Sequence, residues 1–75
     1  MDFEKVRQVV VDTLGCDESA VDMDARFLED LDADSLDVVQ INIEIEKALG
    51  VNVPDEEIPF LKTVGDLYKY VSTHA

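Results

Sequence analysis

A chain of 75 residues with eighteen acids against six bases has a net charge of −12 and is 47% hydrophobic. That apolar share excludes a disordered polyanion. The length leaves room for one domain, 1–75, and little room for an enclosed catalytic cleft, because a chain this short buries only about 60% of its unfolded surface.

The first predicted element is a helix from Phe3 to Leu14, where Phe3, Val6, Val9, Val10 and Leu14 fall on one face. Asp2 is placed to cap its start and Gly15 to end it. Cys16 is the only cysteine, so an internal disulfide and a cysteine metal site are both excluded, and it reads as a small loop residue. Residues 16–34 form a long acidic connection, pinned by Val21, Met23, Phe27, Leu28 and Leu31 and expected to be partly helical; Met23 and Phe27 are expected in the core.

The segment from Ser35 to Leu49 contains "VVQINIEIE", whose alternation favours a strand. Its ends argue for a helix. Asp34 and Asp37 form a variant capping box, and Gly50 stands where a helix stops. As a helix it has a broad apolar face, Val38, Ile41, Ile45, Ala48 and Leu49, and a narrower stripe, Leu36, Val39 and Ile43. Asp37, Gln40, Glu44 and Lys47 lie between the two. The stripe is either extra core contact or a place where a partner docks.

Pro54 and Pro59 then break any long element. Asp55 is a candidate cap for a short helix, and a single turn beginning at Pro59 is the alternative. A last helix is predicted from Val64 to Val71, with Thr63 and Asp66 as a second capping box and "STHA" as a frayed tail. Val64, Leu67, Tyr68 and Val71 should face inward, with one of Tyr68 and Tyr70 in the core and the other at its rim. The predicted fold is all-α: a small antiparallel bundle of three main helices plus one short helix, with a long loop between the first and second.

The acids cluster. Between Asp12 and Asp37 there are ten acids and one base, Arg26. Such a surface repels nucleic acid and anionic membranes and attracts basic protein surfaces. Neither stable membrane insertion nor nucleic-acid binding is expected. The opening residues show neither a basic leader nor an apolar signal core, so a cytoplasmic protein, or the mature form of an organelle protein, is expected.

Within the cluster stands Ser35, in "LDADSLD". A catalytic serine needs a base within reach, and the only histidine is His74, close to the last residue; no G-x-S-x-G elbow surrounds Ser35, so no catalytic residues are assigned. A calcium loop of the EF-hand type would use Asp30, Asp32 and Asp34, but its sixth position is Ser35 instead of Gly and its twelfth is Ile41 instead of Glu; no metal site is assigned. If Asp34 is the cap, Ser35 is the first residue inside the helix, with a free hydroxyl exposed at a terminus that favours phosphate. That combination suits a covalent phosphate ester.

"EDLDADSLDVVQINIEIEKALGVNVPDEE" resembles the central segment of acyl carrier proteins, whose motif is D-S-L before a long acidic helix. The resemblance extends over the chain: its length, charge, helix order and "TVGDLYKYV" near the end. It implies that Ser35 carries a 4′-phosphopantetheine arm taken from coenzyme A by a Mg²⁺-dependent holo-acyl-carrier-protein synthase. The arm's thiol would hold acyl chains as thioesters, sheltered in the bundle and passed between enzymes of type II fatty acid synthesis. Partners would present Arg and Lys to Asp34, Leu36, Asp37, Ile43, Glu44 and Glu46, which gives the second stripe a purpose. A monomer that is not itself an enzyme is expected. Alternatives are a carrier of polyketide, aminoacyl or D-alanyl cargo, or an acidic calcium-responsive interaction module.

Four residues depart from the family pattern. Asp32 replaces the usual glycine two residues before the motif; if positive φ is required there, Asp is among the few residues that tolerate it. Gln40 and Lys47 stand where the family mostly has Glu, and Pro59 falls inside its short third helix.

Overall fold

The computed structural model describes residues 2–74. Helix α1 is Phe3–Leu14, α2 is Ser35–Leu49 and α3 is Val64–His74, with 3₁₀ turns at Glu18–Ala20 and Asp55–Phe60. Among the described residues there is no strand, only an isolated antiparallel bridge between Arg26 and Thr63. The architecture is a small helical bundle with a short extra helix.

Helix α1 packs against both α2 and α3. Val6 and Val10 are fully buried, and Phe3, Val9 and Leu14 lie half-buried against the same core. Each fully buried valine of this kind contributes about 1.5–3 kcal/mol. The Phe3 ring meets Tyr68 of α3 edge-on, with centroids 5.6 Å apart. The Arg7 side chain donates from Nε to the Val21 carbonyl at 2.9 Å and so ties the following loop to α1. Gly15 ends the helix in the left-handed region, its N–H bonded to the Val11 carbonyl. Asp2 occupies the cap position, but its side chain makes no cap bond. Its carbonyl accepts the Lys5 N–H at 3.2 Å.

The loop follows its expected anchors in part. Val21 and Phe27 are buried and Leu31 is half-buried, whereas Met23 and Leu28 are exposed. The loop backbone itself lies on the core, so small residues fill the contacts: Ala25 and Ala33 are buried. The Ala33 N–H donates to the Phe27 carbonyl at 2.9 Å. Asp32 has φ 54°, the one non-glycine residue with positive φ among those described. Its carboxylate side chain is one of the few that tolerate this conformation.

Helix α2 resolves the strand-or-helix ambiguity through its ends, as the caps require. Val38, Ile41 and Ile45 are buried and Leu49 half-buried. Ala48, expected in the core, is exposed, and Asn42 is buried instead. These two residues flank the buried arc on opposite sides, and the helix is rolled toward the Asn42 flank, which faces the 52–58 segment. Leu36, Val39 and Ile43 are all exposed, so the second stripe is not core contact.

The short helix starts at Asp55, not at Pro59, with Pro54 before it; Asp55 is the first helical residue and the N-cap makes no side-chain cap bond. Pro59 lies inside. The turn is held by i+3 bonds, Glu57 N–H to Pro54 O and Leu61 N–H to Ile58 O, both 3.0 Å, so the missing proline N–H interrupts little.

Helix α3 runs past Val71 to His74 instead of fraying. Thr73 Oγ1 donates to the Lys69 carbonyl at 2.8 Å, and the His74 ring stacks on Tyr70 with centroids 4.0 Å apart. Val64, Leu67 and Val71 are buried, while Tyr68 and Tyr70 are both half-buried.

Candidate functional site: the open tip of helix α2

The tip of α2 is built by its cap. The Asp37 N–H donates to Asp34 Oδ1 at 2.9 Å, and the Asp34 N–H donates back to Asp37 Oδ2 at 3.2 Å. The Val38 N–H is taken by the Asp34 carbonyl at 3.1 Å. Because Asp34 does this work, the Ser35 side chain is not needed to satisfy the backbone. Ser35 is exposed, and no partner among the described residues holds its hydroxyl. The N–H groups of Ser35 and Leu36 stay outside the helical ladder, and the helix dipole adds positive potential at this end. The arrangement fits a phosphate ester on Ser35.

Beside Ser35 opens an apolar groove of about 620 Å³. Val38 and Val39 form one wall and Ile58 and Leu61 another, with Phe27 and Leu28 from the loop. It occupies the space between the first turns of α2 and the segment leading into α3. Ile58, Leu61 and Leu28 were not foreseen as site residues. The i, i+3 spacing of Ile58 and Leu61 carried the signal, since it places both on one side of a 3₁₀ helix.

The other expected recognition residues are distributed around α2. Leu36, 78% exposed, and Ile43 form a ridge. Asp37 and Glu44 lie on one flank of it and Glu46 on the other, so the six residues form one solvent-facing surface rather than a cluster. Glu44 is partly engaged by its own helix, accepting from Gln40 Nε2 at 2.9 Å and Lys47 Nζ at 3.5 Å. Glu46 is exposed.

The aspartates that match a calcium loop are otherwise employed. Asp30 accepts from the Arg26 N–H and from Arg26 Nε, both at 2.9 Å. These hydrogen bonds hold the Asp30 carboxyl down to about 2. The bonds to Asp30, reinforced by the nearby Glu29, push the Arg26 guanidinium up. Asp34 is occupied by the cap. Among the described residues no group of three or more His, Cys, Asp or Glu side chains is arranged to hold a metal ion. No helix among them is long and apolar enough to cross a membrane.

Residues 4–71 match the family described as the phosphopantetheine attachment site. The match spans all three helices, the loop and the groove. The chain therefore belongs to the phosphopantetheine attachment family, and is a carrier protein whose cofactor is covalently attached 4′-phosphopantetheine.

Proposed function

We propose that Ser35 is the attachment residue and that the protein carries acyl chains as thioesters between the enzymes of fatty acid biosynthesis. The observation that carries the reading is the unpartnered Ser35 hydroxyl at the rim of an apolar groove. A tether fixed there can deliver a chain into the groove or swing it away. When bound, the arm supplies a thiol that holds cargo as a thioester.

The chain's own residues do the rest. Asp34 and Asp37 fix the first turn of α2 and so fix the backbone from which the Ser35 side chain projects. Val38, Ile58 and Leu61 offer an apolar shelter, which favours aliphatic cargo over a charged aminoacyl or D-alanyl group. Leu36 and Ile43, flanked by Asp37, Glu44 and Glu46, offer basic-faced partners an apolar ridge among carboxylates. Exposed charges of this kind speed encounter and add little tight affinity, as a shuttle requires. The working form is a cytoplasmic monomer, and its first partner is the holo-acyl-carrier-protein synthase.

The test is intact mass after incubation with coenzyme A, Mg²⁺ and a phosphopantetheinyl transferase. One phosphopantetheine should be added to the native chain and none to Ser35→Ala. A native chain that takes up nothing would refute the reading.

A further inference from the structure

The crevice between α2 and the short helix continues past the groove. On the α2 side the groove is bordered by Ser35, Val38 and Val39; one turn further along, Val39 and Asn42 border a second recess of about 270 Å³. On the opposite side the groove takes Ile58 and Leu61, and the recess takes Ile58 and the residues before it. Val39 and Ile58 are the only residues that border both spaces. They form a partition between two compartments of one crevice.

The partition is stiff. Val39 and Ile58 are both β-branched, and within α2 such a side chain keeps essentially one χ1 rotamer. Ile58 packs against the core and precedes Pro59, which restricts its backbone. The compartments also differ in chemistry. Val38 and Leu61 are buried walls of the groove, so each methylene that enters there shifts cargo toward shelter about fourfold. Beyond the partition stand the amides of Asn42 and Asn52 and the carboxylates of Glu46 and Asp55. An aliphatic chain laid over them strips water from groups it cannot hydrogen-bond, so methylenes gain little there.

We propose that Val39 and Ile58 set the length of aliphatic cargo that the groove shelters. A chain tethered at Ser35 fills the groove as far as this pair, and further methylenes stay in solvent. The pair stands one helical turn, about 6 Å, along α2 from Ser35. The proposal rests on the carrier reading for the cargo itself and adds what limits that cargo.

The test uses the full-length, nitrogen-15-labelled protein, loaded by a phosphopantetheinyl transferase from butanoyl- through hexadecanoyl-coenzyme A. In the native protein the shifts at the Val38 and Leu61 amides should grow over the shorter chains and then level off. The Asn42 side-chain NH₂ and the Val53 amide should stay in place throughout. In Ile58→Ala the plateau should move to longer chains, and hexadecanoyl cargo should shift Asn42 and Val53. Movement of Asn42 and Val53 by long cargo in the native protein, or a plateau unchanged in Ile58→Ala, would overturn the proposal. If Ile58→Ala loses the native spectrum, Val39→Ala, at a position already 38% exposed, decides by the same signals. Intact mass of each sample tests the carrier reading separately: a chain that gains no acyl-phosphopantetheine refutes that reading and the proposal with it, whereas a loaded chain without the plateau refutes the proposal alone.

Discussion

Helices α2 and α3 begin with the same local device and end up in opposite situations. At α2 the pair is Asp34 and Asp37; at α3 it is Thr63 and Asp66, with the Asp66 N–H donating to Thr63 Oγ1 at 3.0 Å and the Thr63 N–H returning to Asp66 Oδ2 at 3.2 Å. The tip of α3 is then sealed by the loop. The Val64 N–H donates to the Ala25 carbonyl at 2.9 Å and the Gly65 N–H to the Met23 carbonyl at 3.0 Å. The Phe27 N–H reaches the Lys62 carbonyl at 3.1 Å, completing the clasp. Among the described residues nothing comparable covers the tip of α2, where Ser35 stands exposed. The comparison separates two roles for a helix N-terminus: one closes the fold, and the other is kept open for chemistry.

The sealed tip should be the more sensitive to added volume. A Cβ on Gly65 would come within 2.5 Å of the Met23 carbonyl oxygen, a backbone atom that cannot turn aside. Gly65→Ala should therefore destabilise by about 1–3 kcal/mol, reversing the usual helical preference for alanine. Urea unfolding measures it, and a stabilised variant would show that the clasp is loose.

Cap substitutions sharpen the comparison at smaller size. Thr63→Ala leaves the Asp66 N–H without its acceptor and should cost about 1 kcal/mol. Asp2→Ala, at a cap position whose side chain makes no cap bond, should change stability by less than about 0.5 kcal/mol. Equal losses in the two variants, again from urea unfolding, would mean that capping is not what distinguishes these helix starts.

The smallest effect belongs to the loop that forms the clasp. The Asp30 carboxyl is held down to about 2 by hydrogen bonds from Arg26. The folded protein thus keeps Asp30 ionised at pH values where the unfolded chain, at about 3.9, protonates it. Its contribution is complete above about pH 4 and is lost as pH falls toward 2. The pair is exposed, so the amount is small. The stability difference between the native chain and Asp30→Asn should shrink across that acid range; a difference that grows there would contradict the assignment.

Much of this was legible in the residues, and the exceptions have causes. Helix α2 follows its capping box, and α1 and α2 both stop at their terminal glycines, which are local signals. The α2 alternation misled toward a strand only while its ends were ignored. Asp32, one of the few residue types that tolerate positive φ, does hold it. Misjudged positions were those decided by distant packing. Met23 meets α3 with its backbone carbonyl and with the end of its side chain beside Gly65, and the rest of the side chain stays exposed at the edge of the core. Ala25 and Ala33 are buried because the loop lies flat on the core. Ala48 and Asn42 exchanged expected roles through a roll of α2 that no pattern within the helix specifies. The last turn of α3 persists through the Tyr70–His74 stack, a pairing that the end of the sequence did not advertise.

The measurement that bears most directly on the open tip of α2 is tandem mass spectrometry of the protein after loading from coenzyme A. Every phosphopantetheine should be found on the peptide that contains Ser35, with Thr63 at the sealed tip and the remaining hydroxyls unmodified. An adduct on any other hydroxyl, or one retained in Ser35→Ala, would contradict the account.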